Sequence, residues 1–262
     1  MMAHEKADGK PAAMASFGYE EVAAHDKARL VGRVFSSVAR RYDLMNDIMS
    51  GGLHRLWKRA FVAAVAPRPG ERFLDVAGGT GDIALRILDK LAEHRQTGAA
   101  NVTVLDINPD MLAVGKARAA RRGVEGGLAF LAGDAEALPL ADGAADVYTI
   151  AFGIRNVTHI ERALAEARRV LSPGGRFFCL EFSPLDTPFL DTLYDAYSFH
   201  LIPRFGRWIA NDEASYRYLV ESIRRFPAPE AFAAMMRRAG FERVRHRRLS
   251  GGIVAIHQGW RL

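Results

Sequence analysis

Leu74-Asp75-Val76-Ala77-Gly78-Gly79-Thr80-Gly81-Asp82 is an apolar strand that runs into three glycines and, with Asp82, straight into a helix. Glycine lets backbone approach a ligand with no Cβ in the way, so a strand ending like this announces a binding loop at the carboxyl edge of a sheet. Outward from it, short apolar runs alternate with helical periodicity. Strands are predicted near 72–77, 102–106, 128–132, 145–151 and 176–182, and helices near 82–93, 109–121 and 159–171, the last stopped by Pro173-Gly174-Gly175. That alternation is an α/β fold with a mostly parallel, doubly wound sheet, whose ligands sit outside the carboxyl ends of its strands.

The flanks are read the same way. Residues 1–26 are polar and without period, which predicts a flexible arm, and residues 27–262 read as one domain. Leu30, Val31, Val34, Phe35 and Val38 follow helical spacing, as do Leu53, Leu56, Trp57, Ala60, Phe61, Ala64 and Val65. Two N-terminal helices over 27–66 are therefore expected as a lid. Residues 184–226 break the alternation as a substrate-side insertion. A helix near 229–239 and strands near 242–249 and 252–260 follow, with Gly251-Gly252 predicting a tight antiparallel hairpin at the sheet edge.

Composition narrows the functions. With 49% hydrophobic and 25% charged residues, the 262-residue chain is a globular protein rather than a disordered or fibrous one. A single cysteine, Cys179, excludes an internal disulfide framework and a cysteine-cluster zinc site, and no spacing of acids or histidines predicts a metal. No apolar run reaches membrane-spanning length and the opening MMAHEKADGKPAAMAS has no signal-peptide core, so a cytoplasmic location is expected. The net charge of +6 gathers late: Arg243, Arg245 and Arg247 recur with period two, placing three guanidinium groups on one strand face. A solvated face explains them, and an anionic membrane surface is the partner they admit; no nucleic-acid motif accompanies them.

Two ligands fit the glycine loop. Gly79-Thr80-Gly81-Asp82-Ile83-Ala84 satisfies G-x-G-x-x-A, and Asp106 stands where a dinucleotide's ribose acid belongs. Against a nicotinamide cofactor, Asp82 at the helix N-terminus would repel a pyrophosphate, and the absence of Lys-Ser/Thr after the loop removes a triphosphate. Asp134 in Gly-Asp-Ala-Glu-Ala-Leu-Pro-Leu (133–140) ends the third strand and can accept from an adenine amino group. An adenosine with an amine and a sulfonium but no phosphate suits a site holding Asp75, Asp82, Asp106 and Asp134, which is S-adenosylmethionine.

Asp75-x-Ala77-x-Gly79-x-Gly81 with Asp106 and Asp134 resembles the class I S-adenosylmethionine-dependent methyltransferases, whose usual first glycine is Ala77 here. The stretches YDLMNDIMSGGLHRLWKR (42–59), FGIRNVT (152–158), RVLSPGGRFFCLEFS (169–183), YDAYSFHLIPRFG (194–206) and NDEASYRYLVESIR (211–224) are similar to the UbiE/MenG/Coq5 family of ubiquinone and menaquinone C-methyltransferases. The resemblance implies a Rossmann-like fold in which Gly78, Gly79, Thr80 and Gly81 serve the methionine portion of the cofactor, Asp106 the ribose, and Asp134 with Ala135 the adenine, with Asp75 also among the cofactor-binding residues. The family's frequent serine is Ala151 here, so that contact is not expected.

It further implies a polyprenyl quinol acceptor. A reduced ring pushes electrons onto carbon, so the enzyme has to align two reactants, exclude water and take a proton. Arg155 and Asn156, just past the fourth strand, are placed to reach the ring oxygens, and Tyr42 to offer its face to the sulfonium. Tyr197 and His200 are candidates to contact the ring or accept the proton, while His54 reads as helix packing with Trp57 and Glu181 as a loop anchor. Phe189, Leu190, Leu193, Tyr194, Tyr197, Phe199, Leu201 and Ile202 suit a tail groove. Contact with quinone-biosynthesis enzymes or the inner membrane, and a homodimer, are compatible partners. The competing functions are a nicotinamide-dependent oxidoreductase, a non-catalytic cofactor-binding subunit and an RNA methyltransferase.

Overall fold

A computed structural model describes residues 14–39, 42–93, 101–124, 126–184 and 213–262. The chain opens with β1 (Met14–Phe17) and β2 (Glu20–Ala23), which pair only with each other. Helices α1 (Ala24–Val38), α2 (Tyr42–Ser50) and α3 (His54–Val65) follow. Then come β3 (Arg72–Val76), α4 (Asp82–Ala92), β4 (Asn101–Asp106), α5 (Pro109–Arg121), β5 (Leu128–Ala132) and β6 (Ala145–Ala151). After the 3-10 turn Ile154–Asn156 the chain forms α6 (Ile160–Val170), β7 (Leu171–Phe182), α7 (Glu213–Arg225), α8 (Pro229–Arg238), β8 (Glu242–Leu249) and β9 (Val254–Trp260).

The seven-stranded sheet has the order β5-β4-β3-β6-β7-β9-β8, parallel from β5 to β7 and antiparallel across β7-β9-β8. Neighbours β4 and β6 flank β3, so the strand order reverses at β3 and the crevice for a ligand opens there. Alternate residues of β3 serve the two core layers. Phe73 joins Phe61, Val65 and Ile87 beneath α3 and α4, and Leu74 and Val76 join Leu164, Phe177 and Phe232 beneath α6 and α8. Each such side chain contributes roughly 1.5–3 kcal/mol on burial. Both faces of the sheet are covered, which is why its central strands read as continuous apolar runs.

Four departures from the sequence reading have local causes. Residues 14–26, expected within a flexible arm, form a hairpin and the first turn of α1, fixed because Phe17 stacks on Tyr218 at 4.2 Å and the Tyr19 N–H donates to Glu221 at 3.0 Å. Three helices, not two, precede β3, since Tyr42–Ser50 is helical despite its mixed polarity. Helix α6 ends at Val170, before the Pro-Gly-Gly, because extended Leu171 already pairs with Ala145. In β8 a bulge between Glu242 and Arg245, with Arg243 at φ +48°, breaks the alternation, so Arg245 and Arg247 share a face that Arg243 does not join. Of the predicted insertion, residues 185–212 lie outside the described residues.

Candidate active site

The loop after β3 needs unusual backbone. Ala77, Gly79 and Gly81 have φ of +49°, +52° and +74°, the left-handed region where a side chain is strained. The chain turns there to aim the Gly79 N–H at Asp106, whose carboxylate accepts from Gly79 and from the Asn108 N–H, both at 2.8 Å. A Cβ on Gly78 would lie 2.7 Å from Asp75 Oδ2 and 2.9 Å from the Asp75 carbonyl, so only glycine closes the turn.

Two spaces flank this loop. On the outer side, Gly79, Asp106, Asn108, Asp134, Ala135 and Asn156 line a cleft of about 790 Å³, counting its mouth, and Ala28, Val31, Gly32 and Phe35 of α1 make its far wall. Asn108, which the sequence reading passed over, fixes that wall. Its Oδ1 caps α5 through Asp110 and Met111, while its Nδ2 donates to the Gly32 carbonyl and Ser36. The signal was present, since Asn followed by Pro is a helix-start pattern. Asp134 is held by the Glu136 N–H at 2.9 Å, and Glu136 in turn accepts from the Thr158 and His159 N–H groups.

On the inner side, Lys58, Asp75, Gly78, Thr80, Asp82 and Ala151 surround a smaller space. Asp75 is fully buried; its Oδ1 accepts from Thr149 at 2.8 Å, and burial lifts its pKa to about 7. Its Oδ2 and the Thr80 hydroxyl are buried with no partner among the described residues. Burial works against ionised Asp82, yet Lys58 at 2.8 Å and Arg86 at 3.0 Å hold its pKa down at about 2. Asp82 is therefore not a free charge, and the expectation that it would repel a pyrophosphate loses its force.

The catalytic candidates part company. Asn156 lines the cleft, with its Oδ1 accepting from Tyr218 at 3.0 Å. Arg155 does not reach the cleft. Its side chain is 5% exposed, and Nη1 donates to Glu181 at 2.8 Å and to the Phe152 carbonyl at 2.6 Å while Nε meets Ser222 at 3.3 Å. Glu181 is wholly buried, which pushes its pKa up against the pull of Arg155. Arg155 instead walls a second, narrower space, about 350 Å³ counting its mouth and the gaps between side chains, with Phe35, Met45, Asn46, Ser50, His54, Phe152, Phe182 and Leu219. Phe35 and Phe152 line both cavities, so the two adjoin. Phe152 has φ +58° and packs on Phe182 at 4.9 Å and Trp57 at 6.3 Å. Tyr42 opens α2, the helix that brings Met45, Asn46 and Ser50 to this cavity. Tyr197, His200 and the apolar residues expected to line a tail groove lie outside the described residues.

The model of the ubiE/COQ5 methyltransferase family matches residues 22–261. This chain belongs to the ubiE/COQ5 methyltransferase family. Among relatives, a ubiquinone/menaquinone biosynthesis C-methyltransferase UbiE from Methylobacterium nodulans is 62% identical over 251 residues, spanning 94% of this chain and 96% of that protein. A mitochondrial 2-methoxy-6-polyprenyl-1,4-benzoquinol methylase of rice is 56% identical over 259 residues, spanning 94% and 88%. A solved Thermotoga maritima structure, described as an S-adenosylmethionine-dependent methyltransferase and possible histamine N-methyltransferase, overlays with a TM-score of 0.62 at 21% identity, covering 88% of this chain and 100% of that one. That likeness shows the class I methyltransferase fold. The mostly parallel sheet agrees with the Rossmann-like fold that the resemblance implied, and its antiparallel C-terminal hairpin with the reading of Gly251-Gly252. Family membership, rather than the charge of Asp82, removes the oxidoreductase alternative.

Proposed function

We propose that this chain transfers the methyl group of S-adenosylmethionine to a ring carbon of a polyprenylated benzoquinol or naphthoquinol, the ring methylation that its relatives' names describe. The observation that carries this reading is the pair of adjoining cavities, one a mostly apolar cleft with the carboxylates of Asp106 and Asp134 set in its wall, the other aromatic and closed by Arg155. The residues suit the cofactor. Unpartnered Asp75 Oδ2 and the Thr80 hydroxyl are the buried polar atoms that an amino-acid ammonium would satisfy, with Lys58 beside them for its carboxylate. Asp106 has the position for a ribose diol, and Asp134 with Ala135 for the adenine.

Bound S-adenosylmethionine supplies an electrophilic methyl group. The chain's own contribution is alignment across Phe152, exclusion of water by α1 and α2, and stabilisation of negative charge on a ring oxygen by Arg155. The Arg155 contacts to Glu181, Phe152 and Ser222 use Nε and Nη1, so Nη2 is the guanidinium edge offered to that oxygen. The test is label transfer from methyl-labelled cofactor to short-tail benzoquinol and naphthoquinol, each assayed reduced and oxidised. Label in the reduced ring only is expected. Cofactor binding without transfer to either quinol would leave a binding subunit instead, and label entering RNA would point to the nucleic-acid alternative.

The same proposal extends to a bilayer contact, the source of a tailed quinol. Leu53, just before α3, and Leu56 within it are 39% and 61% exposed beside exposed Arg55 and Arg59, and Arg245 and Arg247 border a groove with Ala63 and Ala64 of the same helix. Flotation with anionic vesicles at low salt is expected, and to be lost on R245E/R247E; equal flotation of that variant would remove the contact.

A further inference from the structure

Two orphaned polar atoms belong to residues that line the cavity closed by Arg155. His54 projects from the first turn of α3 with its side chain 6% exposed, and its Nε2 lies 2.8 Å from Asp47 Oδ1 of α2. The neighbouring carboxylate fixes the proton on Nε2, leaving Nδ1 as a lone-pair acceptor. Nδ1 is buried and has no partner among the described residues, and so is the Asn46 amide nitrogen, a donor from α2. Both residues line the cavity that Arg155 closes. Unpaired buried polar atoms are costly and call for an explanation. A ring hydroxyl explains both at once, since its O–H donates to Nδ1 while its oxygen accepts from Asn46.

We propose that His54, oriented by Asp47, is the base that takes the hydroxyl proton of the acceptor ring. This assignment rests on the ring-methylation reading above. The hydroxyl O–H bond breaks and its proton goes to Nδ1. The electron pair left on oxygen is delivered through the ring to form the new C–CH3 bond, and the S–CH3 pair leaves on sulfur as a neutral thioether. The ring then loses its carbon-bound proton to solvent, and the imidazolium returns the first proton to oxygen. Atoms and charge balance, with one proton released per methyl group transferred.

His54 arrives neutral, as a base must: burial lowers its pKa against the pull of Asp47, and Lys58 lowers it further. The charged groups around it are Asp47 on α2, Arg55 and Lys58 on α3, Asp82 on α4 and Arg155 after β6. Arg55 also holds Asp47, at 2.6 Å and 3.0 Å, so the carboxylate that orients the imidazole is itself fixed.

The test compares the full-length wild type with H54Q and D47N. The readouts are kcat against pH with a short-tail benzoquinol, the dissociation constant for S-adenosylhomocysteine, and the nitrogen-15 resonance of His54 Nδ1 as that quinol is added without cofactor. Wild-type kcat is expected to fall on an acid limb below pH 6.5, and Nδ1 to move upfield as it accepts the hydroxyl. H54Q should lose about 10²–10⁴-fold in kcat, keep its homocysteine affinity within about twofold, lack the acid limb and recover with rising pH as the quinol ionises unaided. D47N, whose altered side chain is 30% exposed, keeps the histidine, so it reports even if H54Q fails to fold. Its acid limb should move to lower pH, and kcat should drop about tenfold or more because Asn permits the other tautomer. A kcat within threefold of wild type in H54Q, an acid limb unmoved in D47N, or an Nδ1 resonance indifferent to quinol would each overturn the assignment. Wild-type label transfer with any of these results leaves ring methylation standing without His54, whereas no transfer by the wild type overturns both.

Discussion

The cleft at Asp106 is built from backbone, and the cavity at Arg155 from side chains. In the cleft, left-handed glycines and N–H groups shape the floor, and the carboxylates that line it are pinned by amides two to four residues past a strand end. In the cavity at Arg155, the polar walls come from far apart in the chain: α2 and α3 supply Asn46, Ser50 and His54, and Arg155 is held by Glu181 of β7 and Ser222 of α7. A backbone-built site tolerates change everywhere except at its glycines and acids. A side-chain-built one depends on paired charges, each stranded if its partner goes.

That contrast can be broken by measurement. The largest effect belongs to the side-chain half: E181A leaves the Arg155 guanidinium buried without its counter-charge, and a loss of about 3–5 kcal/mol is expected. In a thermal melt that is a fall of roughly 6–20 °C; a shift under 3 °C would mean that the pair is not structural. On the backbone-built side, D106A removes an acceptor of charge-assisted hydrogen bonds. The affinity for S-adenosylhomocysteine should weaken by roughly 30-fold, about 2 kcal/mol, with a smaller loss of melting temperature than E181A. The reverse ranking would erase the distinction.

A subtler test uses pH. Asp75 ionises at about 7, so its carboxylate is complete only above that value and should hold an ammonium best there. The dissociation constant for S-adenosylhomocysteine is expected to tighten by about fivefold as pH rises from 6 to 7, by about twofold more to pH 8, and to level off above that. D75N should be weaker and flat. Without ligand the sign reverses: a raised carboxyl pKa means that stability falls as pH climbs from 3.8 to about 7, and D75N should lose that slope. The smallest effect is A77G. Relieving φ +49° offsets the added freedom of the unfolded chain, for a net gain of about 0–1 kcal/mol. A loss of more than about 1 kcal/mol would show that the Ala77 methyl packs rather than strains.

The same contrast explains what could be read from the chain. Every strand of the main sheet and the loop at Gly78–Gly81 were legible, because buried parallel strands and left-handed turns are written in adjacent residues. Asp75, Thr80, Asp106, Asp134 and Ala135 all fall beside one of the two spaces flanking that loop. The hairpin at Met14–Ala23 was not legible, since its anchors Tyr218 and Glu221 lie about two hundred residues later. Arg155 was placed at the right strand end, but what holds it was not legible, because nothing near it in sequence announces its pairing with Glu181. His54 read as packing for the same reason: a helix pattern shows which residues are apolar, not that Asp47 seven residues earlier will meet the imidazole.

Among the described residues Phe152 and Phe35 alone line both spaces, and the Phe152 ring packs against Phe182 and Trp57. It therefore fixes where the two spaces meet: whatever passes between them passes the edge of one ring, whose seating is set by Phe182 and Trp57.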